Sequence, residues 1–143
     1  MRKFKPTDPV ATNIDFGAAS DQVARVFDPE VYTLRIESAR VVQKNQNTLI
    51  VFDLVEVESG ARVAMQPIWV DGPNANGGRL VAENRYLIAQ LLKLAGKPTA
   101  GDPRDLIPTL AGLTFEAQLI ITPDSRTGRV FNGIGSIPGD GAP

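Results

Sequence analysis

The chain has 143 residues, 43% of them hydrophobic, which is enough for one domain with a buried core. It contains no cysteine and no histidine, which excludes disulfides, thiolate or imidazole metal ligands, cysteine nucleophiles and serine–histidine triads. The formal net charge of -1 argues against a strongly basic protein, so a cationic site has to arise from local arrangement.

The N-terminal residues 1–30 contain three prolines, mixed charges and scattered apolar residues, and we expect them to form an extended arm. A short helical turn is predicted at 21–26. No apolar run is long enough for a signal peptide core or a bilayer span, so a soluble, cytoplasmic protein is expected. Three aromatic residues are expected to pin the arm to the body: Phe4, Phe16 and Phe27.

Three strands are predicted next, because apolar and polar side chains alternate and β-branched residues are frequent. A polar turn at 44–47 separates the first two strands, and a tight connection at 59–60 separates the second from the third. Pro67 indicates an edge or a bulge in the third strand. The predicted strands are residues 31–42, 48–57 and 61–70.

A helix and two further strands follow. The glycine- and asparagine-rich segment 71–78 is predicted to be a loop able to act as a lid or clamp. Apolar residues at helical spacing predict a helix over 79–95, which Gly96 ends and Pro98 keeps from resuming. After a proline-rich connector, alternation predicts strands at 113–121 and 129–137.

Three strands, one helix and two strands are the elements of a five-stranded Greek-key barrel of OB-fold type, with its helix between strands three and four. Other small α+β folds have the same order of elements. We therefore expect a mainly β protein, with an arm at 1–30, an OB-fold-like domain at 31–138 and a short tail at 139–143.

Several segments of the predicted strands carry a family resemblance. They are Tyr32-Thr-Leu-Arg-Ile-Glu, Leu49-Ile-Val-Phe-Asp-Leu-Val, Leu110-Ala-Gly-Leu-Thr-Phe-Glu-Ala and Gly128-Arg-Val-Phe-Asn-Gly-Ile. In these segments the chain resembles a family of phage-encoded OB-fold proteins associated with single-stranded DNA binding. The resemblance implies a role in phage DNA replication or recombination, with replication or recombination proteins as partners. Many single-strand-binding proteins end in an acidic tail that recruits such partners. In residues 136–143 of this sequence Asp140 is the one charged residue, so recruitment through such a tail is not expected. The sequence leaves the oligomeric state open, although OB proteins with a flat face and an unpaired edge strand often form a homo-oligomer.

Single-strand binding needs aromatic faces for stacking and cations for phosphates. Trp69, at the end of predicted strand three, could stack on a base, or could belong to the core like the apolar residues that flank it. Phe131 with Arg126 and Arg129 could combine stacking with phosphate contact. The alternative is that Phe131 packs inward and the two arginines only keep the hairpin soluble.

The predicted strands also carry candidate phosphate ligands. Alternation keeps Arg35 and Arg62 off the core face, so with Lys44 in the first turn they could line one groove. Alternatively, each forms an ordinary surface ion pair. The candidate acidic partners are Glu37, Glu56 and Glu58.

The start of the predicted helix offers a further anion contact. The segment 74–78 followed by Arg79 resembles a phosphate-binding turn at a helix N-terminus, although it has neither a Walker nor a dinucleotide motif. Asp71 lacks the ligand spacing of an EF-hand. No pair of carboxylates suits acid–base catalysis, so we expect no enzymatic activity, no cofactor and no metal. The scattered acids are interpreted as solubilising: Asp53, Glu116 and Asp124.

The sequence thus supports two functional hypotheses. The first is a sequence-tolerant single-stranded DNA-binding protein that uses electrostatics and stacking, with preference for DNA or RNA left open. The second is a protein-interaction or virion-associated module that uses strand edges and the 71–78 loop, and the near-neutral charge favours it.

Overall fold

The computed structural model describes residues 24–72, 81–124 and 127–138. These residues form a five-stranded antiparallel sheet with short helices, so the predicted mainly β class is confirmed. The strand order in the sheet is β3-β2-β1-β4-β5. In chain order the elements are β1 (Val31–Lys44), β2 (Asn47–Glu56), β3 (Ile68–Asp71), α1 (Val81–Leu94), α2 (Pro103–Leu106), a 3₁₀ helix (Ile107–Leu110), β4 (Thr114–Pro123) and β5 (Val130–Ser136).

The hairpin of β1 and β2 closes through a two-residue turn. Lys44 pairs with Asn47, and the two residues between them have positive φ, 51° at Asn45 and 69° at Gln46. Two left-handed residues define a type I′ turn, whose twist matches that of antiparallel strands. The polar turn predicted at 44–47 is therefore confirmed.

A β-bulge in β1 changes which side chains face the core. Ile36 pairs with Leu54 and Ser38 with Asp53, so Glu37 is an extra residue without a partner on β2. One inserted residue moves the following side chains to the other face. Ile36 is buried before the bulge, and Ala39, of opposite parity, is buried after it.

The core lies between the inner face of the sheet and the helices. Helix α1 buries Leu87, Ile88, Leu91 and Leu92, which recur at helical spacing. It ends in a Schellman motif: Gly96 has φ 70°, its N–H donates to the Lys93 carbonyl, and the Lys97 N–H donates to Leu92. The largest fully buried sheet residues are Leu34, Ile36, Ile50, Leu54, Leu119 and Ile134.

The predicted third strand over 61–70 is wrong in its first part. Only Ile68–Asp71 is a regular strand, while Arg62 makes an isolated antiparallel bridge to Val55 and Met65 an isolated parallel bridge to Asn132. The chain therefore leaves β2 and reaches β5 before Pro67, which has no N–H to continue a ladder.

Asn132 connects three segments through hydrogen bonds. Its backbone N–H donates to the Ala64 carbonyl at 2.7 Å, and its carbonyl accepts from the Gln66 N–H at 3.0 Å. Its fully buried side-chain amide accepts from the Phe27 N–H and donates to the carbonyls of Phe27 and Ile120. Segment 64–66, β5 and the chain before β1 are thereby held together.

The chain before β1 is extended where it is described. Arg25 forms a parallel bridge with Val63, so the helical turn predicted at 21–26 is wrong for residues 24–26. Phe27 packs against the core and meets the Tyr32 ring edge-to-face at 5.2 Å. Residues 21–23, Phe4 and Phe16 lie outside the described residues.

The connector between α1 and β4 contains two short helical turns that the sequence analysis missed. Asp102 caps α2 by accepting a hydrogen bond from the Arg104 N–H at 2.9 Å. Ile107 and Leu110 of the 3₁₀ helix are buried. No helix in the described ranges has the length and apolarity needed to cross a membrane.

Candidate nucleic-acid interface

One side of the sheet carries three of the candidate residues that the structure describes, namely Arg35, Arg62 and Trp69. We call it the outer face, because it is the side whose residues alternate with the core residues of β1, β2 and β3. Its members are Arg35, Ser38, Arg40 and Val42 on β1, Leu49, Val51, Asp53 and Val55 on β2, Arg62, and Trp69 on β3.

Arg35 and Arg62 flank one apolar residue on the outer face. Val55 pairs with Arg35 of β1 on one side and with Arg62 on the other. Directly paired residues in antiparallel strands project their side chains to the same side, with Cβ atoms about 5 Å apart. The structure thus brings together two of the three residues that the sequence placed in one groove.

Arg40 belongs to the same face, and the sequence analysis missed it. It has the parity of the buried Leu34 and Ile36, so uninterrupted alternation would direct it to the core. The bulge at Glu37 reverses the parity, and Arg40 is exposed opposite Val51. The interrupted alternation after Ile36 is the only sequence signal for this arrangement.

The exposed arginines differ in their ion pairs. Arg35 binds Glu37, with Nη2 and Oε1 2.7 Å apart and the two side chains 43% and 41% exposed. Within the described ranges, Arg40 and Arg62 make no ion pair. Exposed pairs stabilise by about 0–1 kcal/mol, so a phosphate can compete with Glu37 for Arg35.

Glu56, suggested above as an ion-pair partner for the surface cations, is buried instead. Its carboxylate accepts hydrogen bonds from the N–H groups of Glu58 at 2.7 Å and Ser59 at 3.0 Å. Burial raises the pKa of Glu56, but hydrogen bonds from Ser59 and Glu58 and the charge of Arg25 outweigh it, so the pKa lies below its ordinary value. Glu56 therefore stabilises the turn that follows β2, and it does not form an ion pair with Arg35 or Arg62.

Trp69 lies on the outer face at the hairpin end of the sheet. It pairs with Leu49, which pairs in turn with Val42, and its side chain is partly exposed. Asn84 of α1 donates to the Trp69 carbonyl at 3.0 Å, which anchors the backbone. The flanking residues Ile68 and Val70 are buried in the core that α1 covers. Because side chains alternate along a strand, the Trp69 indole lies on the side away from α1.

The remaining candidates lie at the ends of hairpins or outside the described residues. Lys44 is exposed where β1 meets the I′ turn, and Arg129 is exposed in the connection to β5. Phe131 is partly buried opposite Thr122, whose hydroxyl donates to Gln66 Oε1 at 2.8 Å. Arg79 and Arg126 lie outside the described residues.

A cavity lies on the opposite side of the sheet. It encloses about 380 Å³ between α1, the sheet and the connector, and its walls include Ile50, Val70 and Leu92. Arg85 and Asp71, which also line it, form an ion pair at 2.7 Å. In the described part of the chain, no three acidic, histidine or cysteine side chains cluster in a way that could hold a metal ion.

Comparison of the chain with known protein families gives no match, and no curated protein is similar enough in sequence to count as a relative. Function therefore has to be inferred from the arrangement of the side chains.

Proposed function

We propose that the chain is a single-stranded DNA-binding protein that holds its strand across the outer face. The observation that carries the proposal is the convergence of Arg35, Arg40 and Arg62, from separate strand positions, on one exposed surface that also bears Trp69. Electrostatic contact with phosphates and stacking on an aromatic ring are the two requirements of this kind of binding.

An OB-type barrel is part of the proposal. In support, segment 64–66 makes parallel contact with Asn132 of β5, while β1 lies between β2 and β4. Segment 64–66 precedes β3, and β3 and β5 are the two outermost strands in the sheet order. A parallel contact between these two edges is what a closed five-stranded barrel would need. OB barrels commonly bind oligonucleotides on the face of strands two and three and in the adjacent loops.

A single strand suits this face better than a duplex. Its bases are free to unstack, and an aromatic ring that receives one base contributes about 1–3 kcal/mol. In a duplex the bases stay stacked inside, so only the arginines would find partners. We extend the proposal, on the resemblance noted above, to phage DNA replication or recombination and, on the barrel type, to self-association.

The test is fluorescence anisotropy with a labelled oligo-dT and a matched duplex across a salt series. We expect single-strand preference and an affinity that falls linearly with salt on logarithmic axes. Each lost phosphate contact lowers that slope by about 0.7 for single strands, so Arg40→Ala should lower both slope and affinity. Arg104→Ala on α2 removes the same charge away from the outer face and should leave the slope unchanged.

Trp69 provides an independent optical readout, because it is the only tryptophan in the chain. Stacking on a base should quench its emission when unlabelled oligo-dT is added, but not when the duplex is added at equal phosphate concentration. If the protein bound no oligonucleotide at low salt, the proposed function would be wrong.

Protein docking is the second candidate function. It is favoured by Tyr86 of α1, which is 59% exposed beside a groove that also borders Leu87 and Ile137. An exposed aromatic at the edge of an apolar groove is typical of protein interfaces. This function predicts no oligonucleotide binding and an unchanged Trp69 emission.

A further inference from the structure

Asp53 is the acidic residue at the centre of the outer face. It lies on β2 between Val51 and Val55, whose partners on β1 are Arg40 and Arg35. Arg40 is therefore a diagonal neighbour of Asp53, and such neighbours are about 7–8 Å apart. Arg35 lies on the other side of Ser38, beyond the bulge at Glu37. Ser38, directly opposite, donates its hydroxyl hydrogen bond to Asp53 Oδ2.

This carboxylate is not used to neutralise the arginines. In the described residues no ion pair joins Asp53 to Arg35 or Arg40, and Arg35 is paired with Glu37 instead. The Ser38 hydroxyl fixes Oδ2, and the other carboxylate oxygen, Oδ1, accepts no hydrogen bond from the described residues. The face thus presents a positioned acceptor between two cations.

A carboxylate in a phosphate-binding surface opposes binding unless it meets a hydrogen-bond donor of the strand. Phosphates carry only acceptors, so the donors have to come from the bases. Cytosine, adenine and guanine each present an exocyclic amino group, and carboxylates accept well from the cytosine N4 amino group. Thymine and uracil have no exocyclic amino group, and their one ring donor, N3–H, lies between two carbonyl oxygens that repel a carboxylate.

We infer that Asp53 reads the exocyclic amino groups of unpaired bases, so that the protein prefers strands containing cytosine, adenine or guanine over strands of thymine or uracil. The inference rests on the proposed function, and it replaces the solubilising role assigned to Asp53 from sequence. The arginines would hold the phosphates, and Ser38 would orient the carboxylate towards the base edge.

The experiment compares oligo-dC with oligo-dU of equal length at pH 8, because these differ only around pyrimidine positions 3 and 4. We expect oligo-dC to bind about 5- to 10-fold more tightly, in the range of one good base contact at an exposed site. Asp53→Asn keeps an acceptor for Ser38 and adds a donor. It should raise oligo-dU affinity several-fold and remove most of the preference for oligo-dC.

The control is Asp105→Asn on α2, which removes the same charge from an exposed site off the outer face. It should leave the ratio of the two affinities unchanged. Equal binding of oligo-dC and oligo-dU by the unmodified protein, or an Asp53→Asn variant that gains equally for both, overturns the inference and leaves the proposed function standing. Failure of both oligonucleotides to bind at low salt overturns the proposed function and the inference together.

Discussion

The two central residues of the β1–β2 turn hold left-handed backbone conformations, and only one is a residue type that tolerates this well. Asparagine is common at such positions, whereas Gln46 at φ 69° has no comparable tolerance. Gln46→Gly should therefore raise the free energy of unfolding by about 0.5–1 kcal/mol, since Asn-Gly is the preferred I′ pair. Urea denaturation measures this.

A glycine substitution in the second residue pair from the turn provides the control. Gln43 lies in β1 opposite Thr48 and donates to its hydroxyl at 2.9 Å. Glycine in a strand interior is destabilising, so Gln43→Gly should lower stability. A loss of stability in Gln46→Gly would contradict the strain assigned to the turn.

Glu56 makes stability depend on pH. Its pKa is lower in the folded protein than in the unfolded chain, so the unfolded chain binds more protons in acid. The stabilisation is complete above the ordinary carboxylate pKa of about 4.3 and is lost as the pH falls through the lower folded value. Glu56→Gln should cost about 1–2 kcal/mol at pH 7, typical of lost charge-assisted hydrogen bonds, and the cost should fall as the solution is acidified below the ordinary carboxylate pKa.

Denaturation curves of both proteins between pH 7 and pH 3 test this dependence. The control is Glu116→Gln, which alters an exposed carboxylate on β4 and should change stability little at any pH. If the cost of Glu56→Gln stayed constant across this pH range, the change of side-chain group itself, and not the ionisation of Glu56, would determine the effect.

At the scale of elements, Asn132 joins segments that are far apart in the chain. Asn132→Ala removes three side-chain hydrogen bonds and leaves the backbone groups of Phe27 and Ile120 without that partner. We expect a cost of about 2–4 kcal/mol and faster hydrogen exchange at the Phe27 amide. Asn132→Asp keeps the acceptor but loses both donated bonds and buries a charge, so it should be at least as destabilising.

The elements differ in how far the sequence could predict them. Alternation and helical spacing are local signals, and they located β2, α1 and β4 to within a few residues. The division of predicted strand three could not be read locally, because it depends on Asn132, almost seventy positions further along the chain. The two turns of the connector are four residues each, too short to show a period.

The same distinction applies to the candidate site. Alternation placed Arg35 and Arg62 correctly off the core face, since each is close to unambiguous buried residues. It failed for Arg40, because a single inserted residue at Glu37 reverses the parity without any marker residue such as glycine. The position of Asp53 between the arginines then follows only once the strand register is known.

For the whole molecule, the formal charge is -1, and the outer face itself carries Asp53 among its arginines. Long-range attraction of DNA is therefore weak, while the local contacts still release counterions. Asp105→Lys, which raises the net charge by two off the outer face, should increase the association rate several-fold at low salt. At an ionic strength of about 0.3 M, where the screening length is about 6 Å, the gain should disappear.

The salt slope of the equilibrium affinity separates these two electrostatic effects. It counts contacted phosphates, so Asp105→Lys should leave it nearly unchanged, whereas Arg40→Ala should lower it by about 0.7. Stopped-flow association and equilibrium anisotropy on the same oligo-dT provide both quantities. A slope that follows net charge equally in the two variants would mean that DNA associates diffusely with the whole surface, and that the outer face is not a defined binding site.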